Sequence, residues 1–413
     1  MDPELIKDCV HCGFCLPTCP TYVLWGEEMD SPRGRIHLMA QHVEGTPVTP
    51  EMAGHFDACL GCMACVTACP SGVRYDRLIE QTRAVVEREH VRTPEERAIR
   101  ELVFTLFPYG RRLRALRLPM RLATRLRPFL ERVHPSLGAM AELVPPPARP
   151  VRLPPRVHAV GRRRATVGML VGCVQSQFFP QVNAATARVL ALEGCDVVIP
   201  PRQGCCGALS LHSGRDARRF AKRTIETFER AGVEAVVVNV AGCGSSMKEY
   251  AEVLKDEPGG WAERAAALRV RDLAEYLVEL GPVAPRHPLP VTVAYHDACH
   301  LAHAQGVRSQ PRELLRAIPG LELREIAESA VCCGSAGTYN LFQPGPARDL
   351  GDRKARHVLA TRADVLVSAN PGCSMQIAAA MRRSGEGGMR VAHTAEVLDA
   401  SLRGLGARAL GGR

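Results

Sequence analysis

The chain has 413 residues, 46% of them apolar and 23% charged, with 36 glycines, 31 prolines and 17 cysteines. This length allows about two to four domains, and the composition excludes intrinsic disorder, a collagen-like repeat and a small disulfide-stapled domain. The formal charge is +10, and residues 111–164 account for it: fourteen arginines, no lysine and only Glu131 and Glu142 give +12, so the rest of the chain sums to −2.

The N-terminus lacks the basic-then-apolar pattern of a signal peptide. No run approaches the ~18 uninterrupted apolar residues of a membrane-spanning helix. Together these predict a cytosolic protein, where thiols stay reduced and seventeen cysteines point to metal and not to disulfides.

The first element is a cysteine motif used twice. Cys9-Val-His-Cys12-Gly-Phe-Cys15-Leu-Pro-Thr-Cys19-Pro20 and Cys59-Leu-Gly-Cys62-Met-Ala-Cys65-Val-Thr-Ala-Cys69-Pro70 share one spacing, C-x2-C-x2-C-x3-C-P. In such runs three closely spaced cysteines wrap one [4Fe–4S] cluster, and the fourth, a helical turn on, faces the other cluster. The expected ligand sets are therefore Cys9, Cys12, Cys15 and Cys69 for the first cluster, and Cys59, Cys62, Cys65 and Cys19 for the second. Zinc prefers paired C-x2-C units, so a triplet with a fourth cysteine before proline disfavours it. A 39-residue insert separates Cys19 from Cys59, with a helix predicted from Ile36 to about Glu44.

The next segment, residues 91–164, reads as a basic linker. Residues 111–132 have helical leucine spacing at Leu118, Leu122, Leu126 and Leu130, interrupted by Pro119 and Pro128. Pro145-Pro146-Pro147 and Pro154-Pro155 make the remainder semi-rigid and extended. A solvated connector, a docking surface for a partner subunit and a contact with an anionic membrane all fit such charge. Nucleic acid does not, because no base-reading motif accompanies it.

The second half holds one pattern twice: Cys173, Cys205-Cys206-Gly207 and Cys243, then Cys299, Cys332-Cys333-Gly334 and Cys373, at offsets of 126, 127 and 130 residues. The cysteines follow short β-branched runs with helical stretches between, which predicts βα units on a parallel sheet. Ligands collect at the carboxyl ends of such strands, so each triad of positions is expected to converge on one site. A redox centre, a structural corner and a reactive thiol pair remain open there. His296, His300 and His303 flank Cys299: tuning or ligating a centre there is one reading, and a structural or hydrogen-bonding role is the favoured one, since the first copy has no histidine around Cys173. Cys195 precedes its strand in this reading, on the opposite edge, as a small buried hydrophobe whose counterpart is Leu321. No dinucleotide fingerprint, P-loop, HExxH or nucleophile elbow occurs, so no catalytic residue is assigned.

Several runs then carry a family resemblance: Cys19-Pro-Thr-Tyr22, Ser31-Pro-Arg-Gly-Arg-Ile36, Cys69-Pro-Ser-Gly-Val-Arg-Tyr75, Asn183-Ala-Ala-Thr-Ala-Arg-Val-Leu190 and Cys332-Cys-Gly-Ser-Ala-Gly-Thr-Tyr339. Nearly the whole chain resembles bacterial glycolate oxidase iron–sulfur subunits. The resemblance implies an electron-transfer subunit of an oxidoreductase complex. A partner subunit carrying FAD would oxidise glycolate to glyoxylate, and the electrons would go to a respiratory acceptor. It implies a cytoplasmic location, peripheral at the membrane. Iron–sulfur subunits of lactate and glycerol-3-phosphate dehydrogenases share the architecture, as does a heterodisulfide-reductase-like thiol–disulfide reductase. That last relative ends each repeat in C-x-x-C, where this chain has Ser246 and Gln376. The expected fold is multidomain: a helical two-cluster ferredoxin-like domain (1–90), the linker (91–164) and two α/β cysteine-rich repeats with parallel strands (165–280 and 281–413).

Overall fold

The computed structural model describes residues 2–411. Up to residue 143 the described residues form helices and no strand. The helices Pro32–Val43, Pro50–Ala58 and Tyr75–Glu89 enclose a core of Met39, Phe56, Leu78 and Ile79. The first two start by a local rule, in which proline sits in the first turn and a hydroxyl caps the orphan amides. Ser31 accepts from Gly34 N–H and Thr49 from Met52 N–H. The first of these helices therefore begins at Pro32, a turn before the predicted Ile36.

The basic segment is helical, but Pro119 and Pro128 fall near helix starts, so one interrupted helix becomes several: Gly110–Ala115, Arg117–Arg125 and Arg127–Val133, followed by Pro135–Leu143. Residues 144–155 are extended. The end of this segment is not linker, because Arg156–Val157 (β1) pairs antiparallel with the sheet of the first repeat.

That sheet contains Ala165–Leu170 (β2), Cys195–Val198 (β3), Ala235–Val238 (β4) and Val270–Asp272 (β5), in the order β1-β3-β2-β4-β5, parallel apart from β1. The second repeat contains Val291–His296 (β6), Leu321–Glu325 (β7), Val365–Ser368 (β8) and Arg390–Ala392 (β9), in the order β7-β6-β8-β9, all parallel. The copies agree in register: Ala165 pairs with Cys195, and Val291, 126 residues on, pairs with Leu321. Cys195 is thus the first residue of β3 and does not precede the strand. It is still on the edge opposite the other repeat cysteines.

The repeats share a core between them, beside a further cluster in each. Helix Pro180–Leu192 packs on Thr394–Leu402, and Leu273–Leu280 on Ser309–Arg316, two versions of the same inter-repeat contact. Val167, Val189, Leu277, Val293, Leu315 and Leu398 belong to a single buried cluster. Arg188 clamps Asp399 through two hydrogen bonds of 2.9 and 2.6 Å. Truncating Leu277 to Ala should cost about 2–5 kcal/mol, and, because the core is common, both repeats should melt together. A separate low-temperature transition for one repeat in calorimetry would contradict the shared core.

Candidate metal centres

In both ferredoxin-type loops the residues on either side of the middle cysteine have left-handed backbones: His11 (φ 53°) and Gly13 (φ 85°) in the first, Gly61 (φ 61°) and Met63 (φ 62°) in the second. Reversing the chain about each middle cysteine turns three thiols to a common point. Each loop uses one glycine and one strained non-glycine residue, in swapped order. Cys69 lines the same pocket as Cys9, Cys12 and Cys15, and Cys19 that of Cys59, Cys62 and Cys65. Cys65 lines both pockets, as the wall between them.

In the repeats, the cysteines gather at the carboxyl ends of the strands. Cys173 Sγ is 3.6 Å from Cys205 Sγ, and contacts continue through Cys206 to Cys243. Cys299, Cys332, Cys333 and Cys373 form the equivalent chain. The glycine of each Cys-Cys-Gly is required twice over. Gly207 (φ 88°) and Gly334 (φ 84°) are left-handed, and a Cβ on Gly334 would lie 2.5 Å from the Ala347 carbonyl oxygen. Cys195 is far from this edge and packs with Tyr276. The C-x-x-C positions hold no thiol: Gln376 accepts from Asn340 Nδ2 (3.1 Å) and donates to the Ala347 carbonyl (2.7 Å), and Ser246 is buried.

The surroundings suit thiolate-ligated iron–sulfur groups, which bring negative charge into a dry interior. Backbone and side-chain donors point at sulfur: Gly61 N–H to Cys59 (3.4 Å), Tyr75 hydroxyl to Cys59 (3.6 Å), Gly207 N–H to Cys205 (3.3 Å) and Asn370 Nδ2 to Cys373 (3.3 Å). Two buried cations stand beside the thiols. Arg35, 1% exposed, is held by the His55 carbonyl, Thr21 and Asp30 next to Cys19 and Cys59. Burial works against the Cys59 thiolate, but Arg35, Arg83, the Gly61 amide and Tyr75 hold its pKa below the ordinary thiol value. Lys354, 2% exposed, donates to the Glu328 carbonyl (2.6 Å) beside Cys333 and Cys332. Neither cation announces itself in the sequence, since each reaches its cysteines through the tertiary fold.

The ferredoxin-type half sits against the second repeat. Leu60, Cys62 and Ala64 pack with Val331, Cys332 and Tyr339, and Cys62 neighbours both Cys299 and Cys332. The histidines after Cys299 fasten this junction: a His300 ring nitrogen lies 2.9 Å from the Gly61 carbonyl oxygen, and a His303 ring nitrogen 2.8 Å from the Thr67 hydroxyl. His300 and His303 thus have the hydrogen-bonding role expected from sequence; His296, whose Nδ1 lies 3.2 Å from Ser368 Oγ, also lies with Cys333 and Cys373. Arg83 joins the ferredoxin-type half to the first repeat, donating to the Cys59 carbonyl (2.5 Å) and the His212 carbonyl (2.7 Å). A cavity of about 380 Å³ opens here, lined among others by Cys59, Arg83, Arg100, His212, His300 and Tyr339.

A helical domain with two paired cysteine loops, followed by two cysteine-rich α/β repeats, defines an iron–sulfur protein. Family models agree segment by segment: a 4Fe-4S dicluster domain over residues 5–73, the linker region of the glycolate oxidase iron-sulfur subunit over 95–145, and a cysteine-rich domain over 167–248 and 293–378. The chain is 38% identical to the probable glycolate oxidase iron-sulfur subunit of Bacillus subtilis, covering 96% of this chain and 94% of that one. It is 38% identical to the glycolate oxidase iron-sulfur subunit of Escherichia coli, covering 97% and 95%. Lactate utilization protein A of Halalkalibacterium halodurans is 37% identical over 56% of this chain and 96% of its own. A hypothetical protein from Helicobacter pylori shares the fold, with a TM-score of 0.54 at 9% identity, covering 92% of this chain and 74% of that one. The chain belongs to the glycolate oxidase iron–sulfur subunit family.

Replacing Arg83 by Met should remove two charge-assisted hydrogen bonds, each worth roughly 1.5–3 kcal/mol, and loosen the seam without melting the helices. Amide exchange should accelerate around residues 59–61 and 210–214, while the circular dichroism spectrum stays unchanged. Unchanged exchange would show that the seam is held elsewhere.

Proposed function

We propose that this chain is the electron-transfer subunit of a glycolate oxidase. It would hold two [4Fe–4S] clusters, work beside a partner subunit that carries FAD and oxidises glycolate to glyoxylate, and serve a respiratory acceptor. Cys9, Cys12, Cys15 and Cys69 are assigned to one cluster, and Cys59, Cys62, Cys65 and Cys19 to the other. Cys173, Cys205, Cys206 and Cys243, and Cys299, Cys332, Cys333 and Cys373, are assigned to a further centre in each repeat. The observation that carries the reading is the succession of thiol sets in contact: the two ferredoxin-type sets meet at Cys65, and Cys62 of the second lies against Cys299 and Cys332 of the second repeat.

Clusters bound at these cysteines would take up and release one electron at a time. The chain's own contribution is positional and electrostatic. The left-handed loops aim the thiols, Arg35 and Lys354 offset thiolate charge, and burial keeps water away from Cys59, Cys62 and Cys65. Glycolate is favoured over lactate because the likeness to the glycolate oxidase relatives runs through the basic linker, whereas the lactate utilization relative matches only 56% of the chain.

The linker supplies a docking surface for the partner subunit. Its helices expose Leu118 (74%), Leu122 (57%) and Phe129 (63%) beside the exposed Arg121, Arg125 and Arg132. Among the described residues no helix is long and apolar enough to cross a membrane. A cytoplasmic location, peripheral on the membrane, accompanies this reading.

Anaerobically purified protein should contain at least about eight iron and eight labile sulfide atoms. Cys19→Ser should damage the cluster assigned to Cys59, Cys62 and Cys65, and Cys69→Ser the other. The reverse outcome in electron paramagnetic resonance would overturn the crossed assignment. Purified alone, the chain should neither bind FAD nor oxidise glycolate, and turnover by the isolated chain would refute the division of labour. Changing Leu118, Leu122 and Phe129 together to Gln should weaken co-purification with the flavin subunit at unchanged iron content. Partner binding should also weaken with salt, because charges are screened over ~8 Å at physiological ionic strength. Loss of binding to anionic vesicles instead, with partner binding intact, would transfer this surface to the membrane.

A further inference from the structure

Because the two repeats share one strand register, residues 126 apart can be compared directly. β6 ends at His296, and the matching residue of β2 is Leu170. His296 is 2% exposed. One ring nitrogen, Nδ1, lies 3.2 Å from Ser368 Oγ, at the end of the neighbouring β8. The other, Nε2, is buried and has no hydrogen-bond partner among the described residues. A ligand atom of His296 and the sulfurs of Cys333 and Cys373 lie within 4.8 Å of one another, and all three residues are buried.

A neutral imidazole that donates Nδ1–H to Ser368 presents the Nε2 lone pair to the space beside the two thiols. Metal-ligating histidines are oriented in this manner, by a hydrogen bond from the other nitrogen. An acceptor left bare in a dry interior is costly unless something fills it. Gln376, at the place of the missing second cysteine, is committed to Asn340 and Ala347 and is not available as a donor to metal.

We propose that His296 Nε2 is a metal ligand and forms, with Cys333 and Cys373, a mixed imidazole–thiolate site in the second repeat that the first repeat lacks. The inference rests on the reading that the repeats hold metal. The chemistry required is that of a borderline-soft transition metal accepting both nitrogen and sulfur, which iron in an iron–sulfur centre and zinc both meet. The first repeat, with Leu170 in place of the imidazole, would have thiolates alone.

The test uses the full chain labelled with 15N-histidine, reconstituted anaerobically with ferrous iron and sulfide in one arm and with zinc in the other. Wild type is compared with His296→Leu, which copies the first repeat, and with His296→Cys, which keeps a ligand and removes the nitrogen. The proposal expects metal beyond the ferredoxin-type complement in wild type. It also expects a directly bonded histidine nitrogen, seen by pulsed electron paramagnetic resonance for iron or by X-ray absorption for zinc. The nitrogen signal should vanish in both variants, while His296→Cys retains the metal. Should His296→Leu fail to fold, the comparison of wild type with His296→Cys decides alone. Extra metal without histidine nitrogen in wild type, or an undiminished nitrogen signal in His296→Cys, would overturn the proposal and leave the repeat centres standing. A wild-type chain with no metal beyond the ferredoxin-type complement in either arm would remove the repeat centres, and the proposal with them.

Discussion

Sulfur ligands must be brought together in a dry interior, and the charge they carry on ligation must be offset there. That constraint runs through the second ferredoxin-type loop and both repeats, whereas the first loop leaves Cys12 exposed and Cys9, Cys15 and Cys69 half-buried. In the ferredoxin-type half, four left-handed residues turn the thiols inward, and Arg35 is buried beside Cys19 and Cys59. A buried guanidinium without partners would be prohibitive. Here the His55 carbonyl, Thr21 and Asp30 hold it, so its charge is available to the cysteines at little further cost. Lys354 takes the corresponding place in the second repeat, fixed by the Glu328 carbonyl. The packing that builds the core also sets the electrostatics of the thiol sites.

The same constraint explains the assembly of the halves. The two repeats are welded by one hydrophobic core, while the ferredoxin-type half is attached by a smaller apolar cluster around Leu60, Cys62, Val331 and Cys332 and by polar contacts: Arg83 to two carbonyls, His300 to Gly61, His303 to Thr67 and Arg215 to Glu87. Such contacts are directional, whereas apolar packing is not. The polar contacts add direction to the apolar packing that already places Cys62 beside Cys332.

What was legible in the sequence follows from how local each feature is. Cysteine spacing is local, and the crossed grouping of Cys19 and Cys69 is what the pockets contain. The repeat was legible to the level of register: Leu321, matched to Cys195 by offset alone, is likewise the first residue of its strand. The start of the helix at Pro32 was written in Ser31-Pro32 by the capping rule, which outweighs the apolar spacing that begins at Ile36. β1 was hidden because Arg156-Val157 acquires strand character only by pairing with Val197 and Val198. Arg35, Arg83 and Lys354 were hidden for a similar reason, since an arginine or lysine in a helix looks solvated until the fold encloses it.

The repeats are alike in backbone and unlike in situation, and the difference is consistent across independent features. The second repeat touches the ferredoxin-type cysteines, carries the buried Lys354 beside its thiols and ends its central strand in His296. The first repeat, which like the second packs cysteines into its own core, is covered by the linker helix Gly110–Ala115 over Cys173–Phe178 and ends its matching strand in Leu170. The two repeats supply two like cages, and the second lies against the ferredoxin-type cysteines. Lys354 and His296 stand beside its thiols. A cage in contact with a second thiol set must hold its position and its charge against a neighbour, which apolar residues cannot do. The first cage has Leu170 at the matching position, buried in the core with Cys205, Cys206 and Cys243.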